Sequence, residues 1–503
     1  MYSGYGEGWG LYGDKFDGWG FCAVFCLNGL LLCAGGCIIV VGMEDRGWRA
    51  GIGGVNAGFW LNVVCMVCFG QRDMDRENEE DIMNWLRAYA EKIYRNLGQY
   101  FRWLLFGVVT GVAVGLFASL FSWCLIQVTS FRMGHRYMFL TLPLGGLLIV
   151  FTYKAFHFEN NGGTDSVIES IHSEITIPFR MALLIFSSTI ITILCGGSVG
   201  REGAALQIGG SIGKKLGDIF HFNVKDKKII LMSGMAAAFA ALFGTPMAAA
   251  FFAMEVSSVG IMYYAALVPC ICAALIAHKI AFSLGVQTEN FHVMNDLELS
   301  LIPGLKVVLL AICCAILSIL FCMMLQMGEA LFKKYFSNLY IRIAAGGLLL
   351  ILLTLICGSQ DYLGTGMPVI EHALSGTAIP WAFFFKMLFT VITISAGYKG
   401  GEIVPSLFIG ATFGCTLGAL LGLPASLGAA VGMIAVFCGV TNCPVTSILI
   451  AFELFGFDDA YYFLIAVATS YMLSGYYSLY HSQTIVYSKF ENKYVNQPTS
   501  HRF

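Results

Sequence analysis

A glycine-rich stretch near the middle of the chain, "GGSVGREGAALQIGGSIG" (Gly196–Gly213), places an arginine and a glutamate side by side in apolar surroundings. It directly follows a charge-free run, "MALLIFSSTIITILC" (Met181–Cys195). An ionisable residue beside a membrane-length apolar segment is energetically costly and usually has a function. Glu202 is therefore the first candidate functional residue of this chain.

The composition indicates an integral membrane protein. Of the 503 residues, 57% are hydrophobic and only 12% are charged, and the mean hydropathy is +0.75. A soluble protein carries about 25% charged residues. Charge-free runs such as Trp103–Ser130, Val307–Gly328 and Ile403–Phe452 are long enough to cross a bilayer, because a helical span requires roughly 20 apolar residues. We predict an all-α polytopic membrane protein in which the last of these runs holds at least two helices.

The charge balance and the cysteines exclude other classes. Lys and Arg total 29 against 31 Asp and Glu, a net charge of −2, so nothing favours a nucleic-acid partner. Most of the 17 cysteines lie inside apolar runs, where they behave as small hydrophobic residues rather than as a disulfide framework. Cys65 and Cys68 have Cys-x-x-Cys spacing but no second pair or histidine cluster nearby, so we expect no metal site there.

The first seventy residues differ from the rest, because they are rich in Gly, Trp and Cys and show no period. One interpretation takes Met74 as the native start and the upstream stretch as translated non-coding sequence. The other takes the upstream stretch as an extra pair of spans that begins with Phe21–Gly42. Mass spectrometry of the mature N-terminus distinguishes them, because a peptide from before Met74 contradicts the first.

We divide the chain into four parts. They are an N-terminal extension (1–73), a cytoplasmic amphipathic helix (74–99), a transmembrane domain (100–490) with halves at about 100–285 and 300–485, and a short polar C-terminal tail (491–503).

Three motifs occur twice, in the same order and about 200 residues apart. The pairs are "GREGAALQIGGSIG" (Gly200–Gly213) with "GEIVPSLFIGATFG" (Gly401–Gly414), "GMAAAFAALFGTPMAAAFFAME" (Gly234–Glu255) with "GMIAVFCGVTNCPVTSILIAFE" (Gly432–Glu453), and "GGTDSVIE" (Gly162–Glu169) with "GTGMPVIE" (Gly364–Glu371). One such match between Gly/Ala-rich helices could arise by chance, but three in order indicate an internal duplication. Duplicated halves are typical of membrane transporters, whose substrate sites lie between the repeats.

Each repeated motif places Gly or Pro directly before an apolar helical run. A helix that begins inside the protein leaves its first N–H groups without intrahelical partners and carries the positive end of its dipole there. Several such helix starts that meet at one point bind an anion without a full positive charge. The alternative is that these glycines only allow helices to pack closely.

These motifs, together with the late "SLYHSQ", resemble the CLC family of chloride channels and anion/proton exchangers over roughly Gln99–Lys489. The resemblance implies two inverted halves with about eighteen tilted and partly broken helices per subunit. It also implies a homodimer with one anion pathway in each subunit, whose ligands are small inorganic anions and, in an exchanger, protons. We expect no other cofactor. The chain ends soon after Tyr480, without the large regulatory domains of many eukaryotic members, which favours a bacterial-type protein of the cell membrane.

The resemblance also assigns site residues. "GREGA" matches the family's GREGP motif and gives Glu202 the role of the gating glutamate, which competes with the anion for its site. "GEIVP" matches the GxFxP motif, and Tyr480 falls on the tyrosine whose hydroxyl contacts the anion. An interfacial aromatic residue is the alternative for Tyr480. The full anion-binding set implied in this way is Thr164, Asp165, Ser166, Arg201, Gly203, Glu402, Ile403, Val404 and Tyr480.

Three departures from the family pattern concern function. "GTDSV" (Gly163–Val167) replaces the family's GSGIP, so that Thr164 offers the hydroxyl and Asp165 places a carboxylate that repels an anion unless it caps a helix. Val256 stands at the inner proton-transfer glutamate position, which weakens the exchanger interpretation without deciding it. "KGGEIVPSLFIGATFG" resembles the fluoride/proton antiporter branch, which has a glutamate at the Glu402 position but two asparagines where this chain has Thr164 and Asp165.

We therefore predict chloride transport by a channel or exchanger first and fluoride/proton antiport second. A membrane enzyme, suggested only by the G-x-S-x-G match around Ser198, comes third because that motif needs a strand-turn-helix context and a histidine partner.

Overall fold

The computed structural model describes residues 22–26, 29–34, 37–44, 47–51, 76–158, 162–173, 177–286, 291, 293 and 300–499. The helices within these ranges are α1 (Arg76–Gly134), α2 (Leu142–Ala155), α3 (Thr164–His172), α4 (Arg180–Leu194), α5 (Glu202–Ile219), α6 (Val224–Phe243), α7 (Pro246–Glu255), α8 (Leu267–Ser283), α9 (Leu301–Tyr335), α10 (Leu339–Cys357), α11 (Met367–Leu374), α12 (Ala382–Ala396), α13 (Ile403–Leu420), α14 (Ala425–Thr441), α15 (Pro444–Phe455) and α16 (Ala460–Leu473). The strands are β1 (Cys22–Cys26), β2 (Gly29–Ala34), β3 (Cys37–Glu44), β4 (Gly47–Gly51), β5 (Ser258–Val259), β6 (Thr484–Tyr487) and β7 (Tyr494–Pro498).

The transmembrane character predicted from composition agrees with the helices. Six helical segments in the described ranges are long and apolar enough to cross a membrane. The run Ile403–Phe452 holds three helices, α13, α14 and most of α15, as its length requires. Sixteen α-helices lie in the described ranges, against the eighteen or so implied by the resemblance. Part of the difference is α1, a single helix that covers both the expected cytoplasmic helix (74–99) and the first span.

The continuity of α1 has a simple cause. No proline interrupts the sequence between Arg76 and Gly134, so the polar beginning and the apolar remainder continue as one helix. The boundary expected near residue 100 is therefore not a break in the backbone.

The N-terminal unit (1–93) contains an antiparallel sheet with strand order β1-β2-β3-β4. One alternative above was a helical span over Phe21–Gly42, but the described residues of this stretch form strands. Val, Ile, Leu and Phe fill these strands, and β-branched and aromatic residues favour extended backbone. Residues 1–21 and 52–75, with Cys65, Cys68 and Met74, lie outside the described residues.

The C-terminal residues are more ordered than the predicted polar tail. β7 pairs antiparallel with β6, and β6 pairs parallel with β5, which follows α7. The Thr499 hydroxyl also donates to the carbonyl oxygen of Tyr480 at 2.7 Å. The end of the chain therefore supports the loop that carries Tyr480.

The two halves of the transmembrane domain repeat the same order of helices. α3 to α8 in the first half correspond to α11 to α16 in the second, and α5 and α13 have equal lengths of 18 residues. The equivalent glycines Gly200 and Gly401 pair with each other. The Gly200 N–H donates to the Gly401 carbonyl oxygen at 2.7 Å, and the Gly401 N–H donates back at 2.9 Å. A residue that pairs with its own counterpart lies on a local two-fold axis, so this bridge marks the axis that relates the halves.

A second pair of reciprocal contacts is related by the same local two-fold axis. The Glu255 carboxylate, at the end of α7, accepts the N–H groups of Val445 (3.1 Å) and Thr446 (2.9 Å) at the start of α15. The Glu453 carboxylate, near the end of α15, accepts the N–H groups of Met247 (2.8 Å) and Ala248 (2.9 Å) at the start of α7. Each carboxylate satisfies helix donors that have no intrahelical partner. The repeated glutamates therefore join the two halves.

Glycines allow the helices next to this axis to approach closely. A Cβ atom on Gly209 of α5 would collide with the carbonyl oxygen of Gly234 in α6, and one on Gly410 of α13 would collide with that of Gly432 in α14. These four positions form two equivalent pairs of the duplication. For them, the close-packing interpretation of the repeated glycines is correct.

We expect Gly209→Ala to destabilise the protein by about 2–3 kcal/mol, because the added methyl group collides with main-chain atoms that cannot rotate away. Gly304→Ala is the matched control, since Gly304 lies in α9 with open space around it and alanine favours helix. Thermal unfolding of the purified protein in detergent measures both. Equal midpoints for Gly209→Ala and wild type would contradict the packing argument.

Candidate functional site

The Glu202 side chain lies at the contact between the two halves. It is the first residue of α5 and is completely buried. Its Oε2 atom accepts the Val404 N–H, in the first turn of α13, at 3.4 Å. Gly401 packs beside it, because a Cβ atom there would lie 3.3 Å from the same oxygen. A carboxylate thus sits at the N-terminus of a helix from the opposite half, where helix N–H groups and the dipole attract negative charge.

Arg201 lies beside this carboxylate. Its Nε atom lies 3.9 Å from Glu202 Oε1, and its Nη2 atom donates to the Leu242 carbonyl oxygen at 3.2 Å. The two side chains can approach each other because Arg201 precedes the helix rather than lying within it. The guanidinium therefore contacts both Glu202 and the end of α6.

A cavity of about 680 Å³ extends from the surface towards this region. Its deep end is formed by Tyr480, which is 2% exposed, and by Thr164 at the start of α3. Glu402, the N-cap of α13, also lines it and is half-buried. Within the described residues, the Tyr480 hydroxyl is buried and has no hydrogen-bond partner. A buried hydroxyl normally requires a partner, and an anion in the cavity would supply one.

The loop that carries Tyr480 is held on both sides. The Gln483 side chain, fully buried, donates to the carbonyl oxygens of Val256 (2.9 Å) and Thr441 (2.8 Å). The Ser482 N–H donates to Asp165 Oδ1 at 2.9 Å. These bonds fix the main chain around the tyrosine, which argues against the interfacial interpretation of Tyr480.

Thr164 and Asp165 both lie on the cavity, but their polar atoms have protein partners. The Thr164 hydroxyl accepts from the Gln207 side chain at 3.2 Å and lies 3.4 Å from the Gly203 carbonyl oxygen. The Asp165 carboxylate receives the Ser482 N–H, so it stabilises the tyrosine loop rather than capping its own helix. The structure thereby explains how an acidic residue is tolerated there.

The remaining predicted residues divide into two groups. Gly203, Ile403 and Val404 are buried at the contact between α5 and α13, near the Gly200–Gly401 bridge. Ser166 is half-buried on α3 and does not line the cavity. Their roles in anion binding stay predictions.

The structure adds cavity residues that the motifs did not reveal, namely Tyr153, Gln207, Glu329, Arg342, Ser395 and Lys399. Two of them had a local signal: Gln207 lies in the quoted "GREGAALQIGG" and Lys399 directly precedes "GGEIVP". The others lie on helices far away in sequence, and no motif marked them.

The fold and the site together define a class: a duplicated, multi-pass membrane protein with a buried carboxylate at the start of a helix and a cavity lined by polar residues beside it. The family model described as "Voltage gated chloride channel" matches residues 145–475. The chain therefore belongs to the CLC family, a family of anion channels and transporters, and it is an anion transporter of CLC type.

Two relatives illustrate the range of the family. A protein of Pseudomonas syringae pv. tomato named "Chloride/fluoride channel protein" is 34% identical over 395 residues, which cover 77% of this chain and 87% of that protein. The "H(+)/Cl(-) exchange transporter ClcA" of Vibrio cholerae is 26% identical over 274 residues, 51% of this chain and 58% of that protein.

Solved structures agree with the fold. The crystal structure of a CLC-type fluoride/proton antiporter matches with a TM-score of 0.74 and 32% identity, over 76% of this chain and 98% of that one. A slow cyanobacterial Cl⁻/H⁺ antiporter matches with a TM-score of 0.66 and 17% identity, over 74% of this chain and 94% of that one. The predicted all-α inverted-repeat architecture is confirmed.

Proposed function

We propose that this protein is an anion/proton antiporter whose preferred anion is fluoride. The observation that carries the proposal is the pair of acidic residues on the pathway: Glu202 at the start of α5 and Glu402 at the N-cap of α13. An ionised carboxylate repels a passing anion, and a protonated one does not. With two such groups beside Tyr480, each anion passes when a carboxyl group takes up a proton.

The order of the two anions reverses the expectation from sequence. Chloride is the second candidate, favoured by Thr164 and Asp165 at the positions where the fluoride branch has two asparagines. Val256 supplies no carboxylate at the inner proton-transfer position, which leaves Glu402 as the alternative proton carrier. Fluoride comes first because the Pseudomonas syringae relative and the antiporter with a TM-score of 0.74 both carry fluoride in their names. Fluoride also has the higher charge density and is the stronger hydrogen-bond acceptor for the Tyr480 hydroxyl.

Reconstituted protein tests this proposal directly. Liposomes loaded with fluoride or with chloride are diluted into low-anion buffer, and efflux is driven with potassium and valinomycin. We expect fluoride efflux at least about tenfold faster than chloride efflux, accompanied by proton uptake against a gradient. Chloride efflux that equals or exceeds fluoride efflux would reverse the order, and anion flux without proton movement would indicate a channel.

The assembly and location belong to the same proposal. We infer a homodimer in a bacterial plasma membrane, in which each subunit moves anions without covalent chemistry. Light scattering of the purified protein in detergent, with the detergent mass subtracted, measures the subunit number, and a monomeric mass would contradict the dimer.

A further inference from the structure

Two half-buried cations line the cavity that contains Tyr480. Lys333 and Ser337, which are exposed, mark the mouth, and the buried Tyr480 marks the deep end. Lys399 and Arg342 are half-buried and line the same cavity. The two cations and the buried tyrosine therefore face the same cavity.

Lys399 is held in place by its surroundings. It lies in the loop between α12 and α13, and its N–H donates to the Thr192 hydroxyl at 3.3 Å. Its ammonium group lies 5.0 Å from the centre of the Tyr153 ring, a cation–π contact that orients the side chain. The loop turns at Gly397, whose φ of 107° favours glycine, and the Arg342 guanidinium packs against that turn. Both cations are thereby brought to one side of the cavity.

Two other charges on the cavity form a pair with each other, because Lys333 and Glu329 make an ion pair at 2.6 Å. Asp165 accepts the neutral Ser482 N–H and keeps its negative charge when ionised. Within the described ranges, no carboxylate lies within 4.0 Å of a nitrogen atom of Lys399 or Arg342. Two cations therefore face the two carboxylates of Glu402 and Asp165 across the cavity lining.

We propose that Lys399 and Arg342 form an anion-binding site, distinct from the Tyr480 site, that collects a small monovalent inorganic anion at the cavity before it meets Glu402. This proposal rests on the function proposed above, because the site acts in transport only if the protein transports anions. Two positive charges offset the carboxylates of Glu402 and Asp165 when both are ionised, so an anion beside the two cations is attracted rather than repelled. Partial solvation keeps the attraction weak enough for the anion to leave, as a transport pathway requires.

Lys399→Gln tests the site in liposomes. We expect it to raise the fluoride concentration that gives half-maximal flux about tenfold. Flux at saturating fluoride should stay within about twofold of wild type, because the lost charge weakens binding of the anion at the cavity and not its later transport. Lys399→Arg retains the charge and should stay within about twofold of wild type. Lys154→Gln is the matched control: Lys154 also lies over a tyrosine ring, at 5.6 Å from the centre of Tyr340, but it is exposed and does not line the cavity.

A binding measurement separates this inference from the proposed function. Calorimetric titration of the detergent-purified protein with sodium fluoride needs no transport, and Lys399→Gln should weaken the apparent affinity by a similar factor. If Lys399→Gln unfolds, Arg342→Gln provides the same test. If the wild-type protein transports no anion but fluoride affinity drops in these variants, the proposed function is contradicted and the site is supported. Unchanged affinity and unchanged half-maximal concentration in both variants would overturn the site while leaving the proposed function intact.

Discussion

Glu202→Gln is expected to abolish proton movement coupled to anion flux, with a loss of about 100-fold in proton uptake, while anion flux persists. The glutamine keeps the size of the side chain and can still face the Val404 N–H, but it neither carries a proton nor competes with the anion as a negative charge. Simultaneous recording of pH and anion concentration outside loaded liposomes measures both fluxes.

The matched control is Glu169→Gln, because Glu169 is an exposed glutamate on α3, away from the cavity. It should leave both fluxes within about twofold of wild type. Wild-type proton coupling in Glu202→Gln would show that the buried carboxylate only stabilises the start of α13.

Glu402→Gln is expected to reduce proton-coupled fluoride flux about tenfold and to increase chloride flux relative to fluoride. The first effect follows because Glu402 is the second acidic group on the pathway and Val256 supplies no carboxylate at the inner position. The second follows because the loss of the proton carrier lowers coupled fluoride flux, while removal of a negative charge from the cavity lowers the repulsion that chloride meets. Parallel efflux assays with fluoride and chloride give the ratio.

Glu329→Gln is the control for Glu402→Gln. Glu329 lines the same cavity, but its charge is paired with Lys333, so its neutralisation should alter the fluoride-to-chloride ratio less than twofold. If both variants change the ratio equally, the effect arises from the total charge of the cavity and not from the position of Glu402.

These two carboxylates differ in how they are held. Glu202 is fully buried against the opposite half, and Glu402 is half-buried on an open cavity. We propose that the buried Glu202 blocks the pathway when ionised and that Glu402 exchanges protons with the cavity.

Local sequence patterns predicted the membrane spans, the duplication and one site residue. The apolar runs predicted the spans, and the three duplicated motifs predicted two related halves that contribute helix starts to one site. Glu202 stood out because a carboxylate next to a membrane-length segment is visible in the chain itself. These features depend on hydropathy and on spacing along the chain.

Other features depend on which surfaces meet when the halves pack around their local two-fold axis. The Gly200–Gly401 bridge, the reciprocal carboxylate caps of Glu255 and Glu453, and the Asp165 bond to the tyrosine loop join residues about 190 to 320 positions apart. Lys399 and Arg342 lie on different elements and meet only because a turn at Gly397 faces α10. No local period encodes such contacts, since they arise from the shapes and charges that two packed halves present to each other.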